Sequence, residues 1–245
     1  MAAALELTSV YQHVKGHCAL ADLTLGLVSG EWLLVVGPNG AGKSLLTRLI
    51  LGLDSPSAGS VRLFGRDLAE QGVGQMRRLR RAMGAVLQGG SLIAELTVLE
   101  NLLLPLRSLP MSRQGMARAA RLIATRLRLD GLENHHPRAL SLGQRRRVEL
   151  ARALIHQPQL LIWDGLTDGL DQPASREIQA LLLDLRETAN LTFVATDNRA
   201  DLSLLEPNRI ALLDRGRLIF IGSPDELAGA ADKRLDVRYV LRGRP

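Results

Sequence analysis

The eight residues GPNGAGKS, Gly37 to Ser44, carry the most legible chemistry in this chain. They match G-x-x-x-x-G-K-[ST], the spacing of a loop that cradles phosphates. Gly37, Gly40 and Gly42 let the backbone curl around Pro38, Asn39 and Ala41, so that successive N–H groups point at phosphate oxygens. Lys43 is then placed to reach the outer phosphates, and the Ser44 hydroxyl to hold magnesium. The helix that must follow adds the partial positive charge of its N-terminus. A glycine-rich turn of no chemical purpose accounts for the glycines, but not for the lysine and hydroxyl at these offsets.

The loop needs a strand before it and a helix after it, and both are present. "EWLLVVG" is an apolar strand, and "GKSLLTRLILGL" has helical periodicity that ends near Gly52. "ALELTSV", "LTLGLV" and "GSVRLFG" read as further short strands of the first third. Residues 92–157 read as mostly helical. The last third alternates again. "QLLIWD" and "NLTFVATD" suit buried parallel strands, with a helix over about 173–189 between them. "NRIALLDRGRLIFIG" predicts a hairpin around Asp214–Gly216. The pattern is one strand-rich α/β unit with a helical insertion.

Composition bounds what this unit does. The 245 residues are 46% hydrophobic and 23% charged, enough for a sizeable core. Aromatics are 3%, so leucine and its kin must fill that core, and nucleic-acid binding on stacked aromatic platforms is excluded. The net charge of +6 suits a partner rich in phosphate or an anionic membrane surface. Cys18 is the single cysteine, which rules out an internal disulfide. No apolar run approaches the roughly 20 residues that span a bilayer; "SLIAELTVLENLLLPLRSL" is interrupted by Glu95, Glu100, Pro105 and Arg107. A soluble, cytoplasmic chain that serves a membrane through partners is the expectation.

Beyond the phosphate loop, the rest of the chain resembles the ATP-binding subunit of ABC transporters, with the motifs in family order. "GAVLQGGSL" carries Gln88, similar to the family's Q-loop glutamine that touches magnesium. "LSLGQRRRVELARAL" resembles the signature sequence and its helix: Ser141, Gly143 and Gln144 match, and Leu142 replaces a glycine. "LLIWD" resembles the strand whose terminal aspartate, here Asp164, supports the metal. "GLD" resembles the D-loop, with Asp171 at a dimer seam. The resemblance implies an α/β fold: a P-loop NTPase core of ABC type with an antiparallel β subdomain and a helical subdomain inserted over about 89–157. It implies an ATPase domain over 1–230 and a C-terminal arm over 231–245. ATP and magnesium are the implied cofactors, with Ser44 and Gln88 on the metal. Transmembrane permease subunits and a second ATPase chain, identical or different, are the implied partners, nucleic acid is not, and the cytoplasmic face of the cell membrane is the implied location. In such a pair the 141–144 signature acts on the partner's nucleotide. Taken alone, Gln88 and Arg145–Arg147 are ordinary solvated residues, and Ser141 an ordinary helix cap.

The departures carry their own expectations. Gly165 stands where the family places a water-polarising glutamate, and Asp197 where it places a histidine against the γ-phosphate. Asp197 is the first local candidate to replace the lost acid, and Asp168, beyond a turn, the more distant one. A positioned general base is worth typically about 10²–10⁴ in rate, so weak or partner-dependent hydrolysis is expected. Val14 stands where many members stack an aromatic on adenine, with Tyr11 and His13 out of register. "LQGGSLIAELTVLENLLLPLR" and the tail "GSPDELAGAADKRLDVRYVLRG" are similar to ATPases of Mla/Mce-type lipid transporters. That narrower resemblance implies a lipid or other hydrophobic substrate, with a periplasmic lipid-binding component as a further partner. It also implies a tail that reaches the neighbouring ATPase through Val237, Tyr239, Val240 and Leu241. Leu99 and Leu103 are expected on an exposed groove for a permease helix.

Overall fold

The structure, a computed structural model, describes residues 3–198 and 205–242. Two sheets organise it. The first is antiparallel and contains β1 (Ala3–Val14), β2 (His17–Val28), β4 (Ala58–Leu63) and β5 (Arg66–Asp67), in the order β2-β1-β4-β5. The second contains β3 (Trp32–Val36), β6 (Met83–Val86), β7 (Leu160–Trp163), β8 (Thr192–Asp197), β9 (Arg209–Asp214) and β10 (Arg217–Gly222), in the order β10-β9-β3-β8-β7-β6. Strands β3 and β6 to β9 run parallel, and β10 closes the edge antiparallel to β9.

The parallel strands are buried on both faces, which explains their continuous apolar runs: all five residues of β3 and all four of β7 are buried. In the first sheet β2 alternates buried and exposed residues from Leu23 and the buried residues of β1 lie between Ala4 and Val10, and sequence reading recovered only their apolar ends. The predicted strands "ALELTSV" and "LTLGLV" extend to twelve residues each, joined at Lys15–Gly16. Both of those turn residues have positive φ, as do Arg215 and Gly216 in the predicted β9–β10 hairpin. That geometry matches the right-handed twist of paired strands.

Helices α1 (Lys43–Ile50), α2 (Val73–Arg81), α3 (Val98–Leu103), α4 (Arg113–Arg126), α5 (Leu142–Leu154), α6 (Gln172–Thr188), α7 (Pro224–Lys233) and α8 (Leu235–Arg242) complete the described fold. Two apolar clusters form the core. One joins α1 and the first sheet to one face of β3, β7 and β9; the other joins α3 to α6 and the C-terminal helices to the opposite face. No helix among the described residues is long and apolar enough to cross a membrane.

Three expectations change here. Arg146 and Arg147 are buried rather than solvated: Arg146 pairs with Glu149 at 3.1 Å and Arg147 with Glu177 at 3.2 Å. Leu99 and Leu103 are half-buried against the second core, so α3 is a packed helix with an apolar margin. Within the described residues the tail is helical and packs on this chain. The expected boundary at 231 falls inside α7, and α8 folds back so that Val237 and Val240 enter the chain's own core. Residues 243–245 of the expected arm, Arg244 among them, lie outside the described residues.

Candidate nucleotide site

Strand β3 delivers the phosphate loop. Gly37 follows it directly, and a side chain there would run into the Leu213 carbonyl oxygen of β9. Gly42, at φ +105, is the N-cap residue of α1 and offers no side chain to the helix's first N–H groups. Those donors therefore face the cleft, as an anion site requires. Lys43 is buried, and its Nζ donates to Gly37 O at 2.7 Å, Pro38 O at 3.0 Å and Asn198 Oδ1 at 2.9 Å. Burial pushes the ammonium below the usual lysine range, against the opposing pull of Asp164, Asp168 and Asp197.

The facing wall is built by the ends of β6, β7 and β8. Ser44 Oγ donates to Gln88 Oε1 at 3.4 Å, and both line a cleft of about 210 Å³ with Lys43, Asp164, Asp168 and Asp197. Gln88 is exposed on the turn after β6. That turn is fastened to α5, where Glu149 accepts from Ser91 N at 2.9 Å and Arg152 donates to Ser91 O at 2.7 Å. The Ser44 hydroxyl, Gln88 amide oxygen and Asp164 carboxylate are hard oxygen donors of the kind magnesium takes, and a magnesium site with few protein donors is completed by phosphate oxygens and water. The residues thus fit magnesium held together with a nucleotide. Among the described residues no group of three His, Cys, Asp or Glu forms a metal cage by itself.

The Asp164–Asp171 loop differs from expectation. Asp164 is buried, and its Oδ1 accepts from Thr196 Oγ1 at 2.6 Å; the same hydroxyl accepts from Gly165 N at 2.9 Å. Gly165 sits at φ +73, and the chain then turns back, with Asp168 N donating to Gly165 O at 3.3 Å. This turn lays the Asp168 carboxyl over Gly165: a Cβ added at residue 165 would lie 2.8 Å from Asp168 Cγ and closer still to Oδ2. Gln88 Nε2 donates to Asp168 Oδ2 at 2.7 Å, and Asn198 Nδ2 to Oδ1 at 3.3 Å. Asp168 is therefore at the site, not beyond it. Asp197 has a different posture. Its buried Oδ2 accepts from Thr167 N at 3.0 Å and Thr167 Oγ1 at 2.7 Å, and its Oδ1 from Asn198 N at 2.6 Å. The carboxyl is thus tied to the turn that carries Asp168, while Asp197 also lines the cleft.

The signature residues lie at the start of α5. Ser141 caps that helix, its side chain accepting from Gln144 N while Gln144 Oε1 accepts from Ser141 N. Leu142 packs beside Gly169 and Gly143 beside Ala174, which places residues 141–144 against this chain's own 169–174 segment. Asp171 caps α6 through Ala174 N. Val14 is exposed at the end of β1. Thr167, Thr196 and Asn198 are site residues that sequence reasoning did not select, and Asp168 is one it set aside as too distant. The available signal was the pair Gly165 and Gly169, both at φ +73, which bracket the turn.

Comparison with known proteins agrees with this geometry. Residues 20–168 match the protein family described as ABC transporter. A methionine import ATP-binding protein of Caulobacter vibrioides is 38% identical over 213 residues, covering 86% of this chain and 64% of that protein. A spermidine/putrescine import ATP-binding protein of Methylococcus capsulatus is 39% identical, covering 89% of this chain; this chain spans 56% of that protein. A putative ABC transporter ATP-binding protein of Methanopyrus kandleri is 35% identical over 91% of this chain and 82% of its own length. Among solved structures, a dimeric ATP-binding cassette in a post-hydrolysis state with ADP and phosphate superposes with TM-score 0.81 and 30% identity, over 89% of this chain and 98% of its own.

Proposed function

The chain belongs to the ABC transporter family, and from that premise we propose that it is the ATP-binding subunit of a membrane transporter. It acts as one of two ATPase chains, identical or different, beneath permease subunits at the cytoplasmic face of the cell membrane. The carrying observation is the Gly37–Ser44 loop, where buried Lys43, Ser44 and Gln88 line one cleft with Asp164. Bound magnesium neutralises phosphate charge there. Lys43 and the first N–H groups of α1 hold the phosphates, and Gln88 bridges Ser44 to Asp168. The apolar margin of α3, with Leu99 and Leu103 half-buried, and the exposed Ile93 on the segment before it support a permease contact beside Gln88.

The cargo is a lipid or another hydrophobic molecule, with a periplasmic lipid-binding component in the assembly. That reading rests on the likeness of residues 87–107 and 222–243 to Mla/Mce-type ATPases; the relatives above are named for methionine and for spermidine/putrescine. A second reading, a non-hydrolysing ATP-dependent regulatory subunit, is favoured by Gly165 alone. The test is reconstitution of the purified complex in vesicles. ATP-dependent movement of a fluorescent phospholipid, without uptake of labelled methionine or spermidine, is expected. Uptake of an amino acid or polyamine instead overturns the lipid cargo, and failure of the chain to bind an ATP analogue with magnesium overturns the whole reading.

A further inference from the structure

Cleaving a phosphoanhydride with water requires a group to take the water's proton, an effect typically worth about 10²–10⁴ in rate. Residue 165 has no side chain for this. Three carboxyl groups line the phosphate-side cleft, and their surroundings separate their roles. Asp164 is buried and accepts from Thr196 Oγ1. Asp197 is buried with its two oxygens on Thr167 and on the Asn198 amide. Asp168 alone stands over the Cα of Gly165, steered there by Gln88 Nε2 at 2.7 Å and Asn198 Nδ2 at 3.3 Å.

We propose that Asp168 is the general base of this site. Gly165 and Asp197 then act as one arrangement. The glycine's left-handed backbone and missing side chain make room for the Asp168 carboxyl, and Asp197 ties down the turn that presents it. Both departures from the family pattern acquire a purpose, and the acid lost at residue 165 returns three residues later along the chain. This rests on the reading of the chain as an ATP-binding subunit. In the step itself, the water oxygen attacks the γ-phosphorus while its proton passes to Asp168 Oδ2. The bond from that phosphorus to the bridging oxygen breaks, and ADP leaves with the electron pair. Asp168 then gives the proton to solvent. Gln88 and Asn198 use their N–H groups to aim the carboxyl, and the Gln88 oxygen stays with Ser44.

The experiment uses the assembled transporter and reads two quantities: steady-state phosphate release and equilibrium binding of a labelled ATP analogue. Lys43→Ala is the blank for this chain's own site. Asp168→Asn keeps the shape and is expected to lower phosphate release at least about 100-fold while leaving analogue affinity within about twofold of the parent. Asp168→Glu, which keeps the acid, is expected to retain a measurable part of the rate. Three results overturn the proposal. One is Asp168→Asn releasing phosphate at the parental rate. Another is its losing analogue binding together with turnover. The third is a parent that releases no more phosphate than the Lys43→Ala blank. In that third case undiminished analogue binding leaves the ATP-binding reading standing, so the two failures are told apart.

Discussion

The Gly37–Ser44 loop and the Asp164–Asp171 loop face each other across one cleft, yet they are built from different materials. The first binds with backbone: N–H groups exposed by Gly40 and Gly42, a helix start without a side-chain cap, and one lysine. Its performance depends first on φ angles, with Lys43 on Asn198 and Ser44 on Gln88 as its side-chain ties across the cleft. The second works with side chains: Asp164 on Thr196, Asp197 on Thr167, and Asp168 on Gln88 and Asn198. Here each group's role depends on where a turn points it. A backbone-built site is kept or lost as a whole, whereas a side-chain site is free to be rewired while retaining its chemistry.

Removing the Lys43 ammonium should separate the two loops most sharply. Its three acceptors, Gly37 O, Pro38 O and Asn198 Oδ1, fix it at the centre of the cleft. A hydrogen bond to a charged group contributes about 1.5–3 kcal/mol, and the lysine would exchange one or more of these acceptors for phosphate oxygens when a nucleotide binds. Lys43→Ala is therefore expected to weaken binding of an ATP analogue about 100-fold, or ~3 kcal/mol. Parental affinity in equilibrium titration would show that the backbone loop binds without its charge.

Gly165→Glu tests the opposite wall. Restoring the family's glutamate looks like a repair, but residue 165 sits at φ +73, where an L-residue costs about 1–2 kcal/mol. Its Cβ would also displace the Asp168 carboxyl. The single change is expected to cost at least about 2 kcal/mol, lowering Tm by roughly 4–8 °C, with no gain in phosphate release. Pairing it with Asp168→Ser removes the clash and should recover part of the loss. A Gly165→Glu protein that is fully stable and faster would mean that the turn is easily remade.

Legibility in the sequence follows the same division. The phosphate loop, its strand and its helix were readable, because glycine spacing and an apolar run state a backbone geometry directly. So were the buried parallel strands and the β9–β10 hairpin, whose Arg215 and Gly216 supply the two positive φ angles. The roles of Asp168 and Asp197 were not readable in this way. Sequence places Asp168 three residues past Gly165, and only the turn closed by Asp168 N on Gly165 O brings it back. Asp197 ends a strand aimed at the cleft, and only the structure shows that two donors from Thr167 tie its carboxyl to the turn. Arg146 and Arg147 escaped for a related reason: a run of arginines reads as solvated until partners such as Glu149 and Glu177 come from elsewhere in the fold. The tail's apolar residues fit either another chain or this one, and the structure adds that α8 places Val237 and Val240 in its own core.

The smallest expected effect concerns the tie between Asp197 and the turn. Thr167 Oγ1 donates to Asp197 Oδ2 at 2.7 Å, and the Thr167 N–H reaches the same oxygen at 3.0 Å. Thr167→Val keeps the branched shape and the N–H but deletes the hydroxyl. Asp197 is 5% exposed, so water cannot readily replace the lost donor, although the Asn198 amide still serves its other oxygen. The cost should fall near the low end for a hydrogen bond to a carboxyl group, about 1.5 kcal/mol, or roughly 3–6 °C in Tm. Thr167→Ser retains a hydroxyl and should lose less. Binding of an ATP analogue should stay at the parental level in both, because the Gly37–Ser44 loop does not draw on this bond. Phosphate release should fall in the valine variant and not in the serine one, since a loosened turn no longer holds Asp168 over Gly165. Equal stability and equal turnover in the parent and Thr167→Val would mean that Asp197 does not hold the turn, and the contrast between a self-sufficient loop and a side-chain-held one would weaken accordingly.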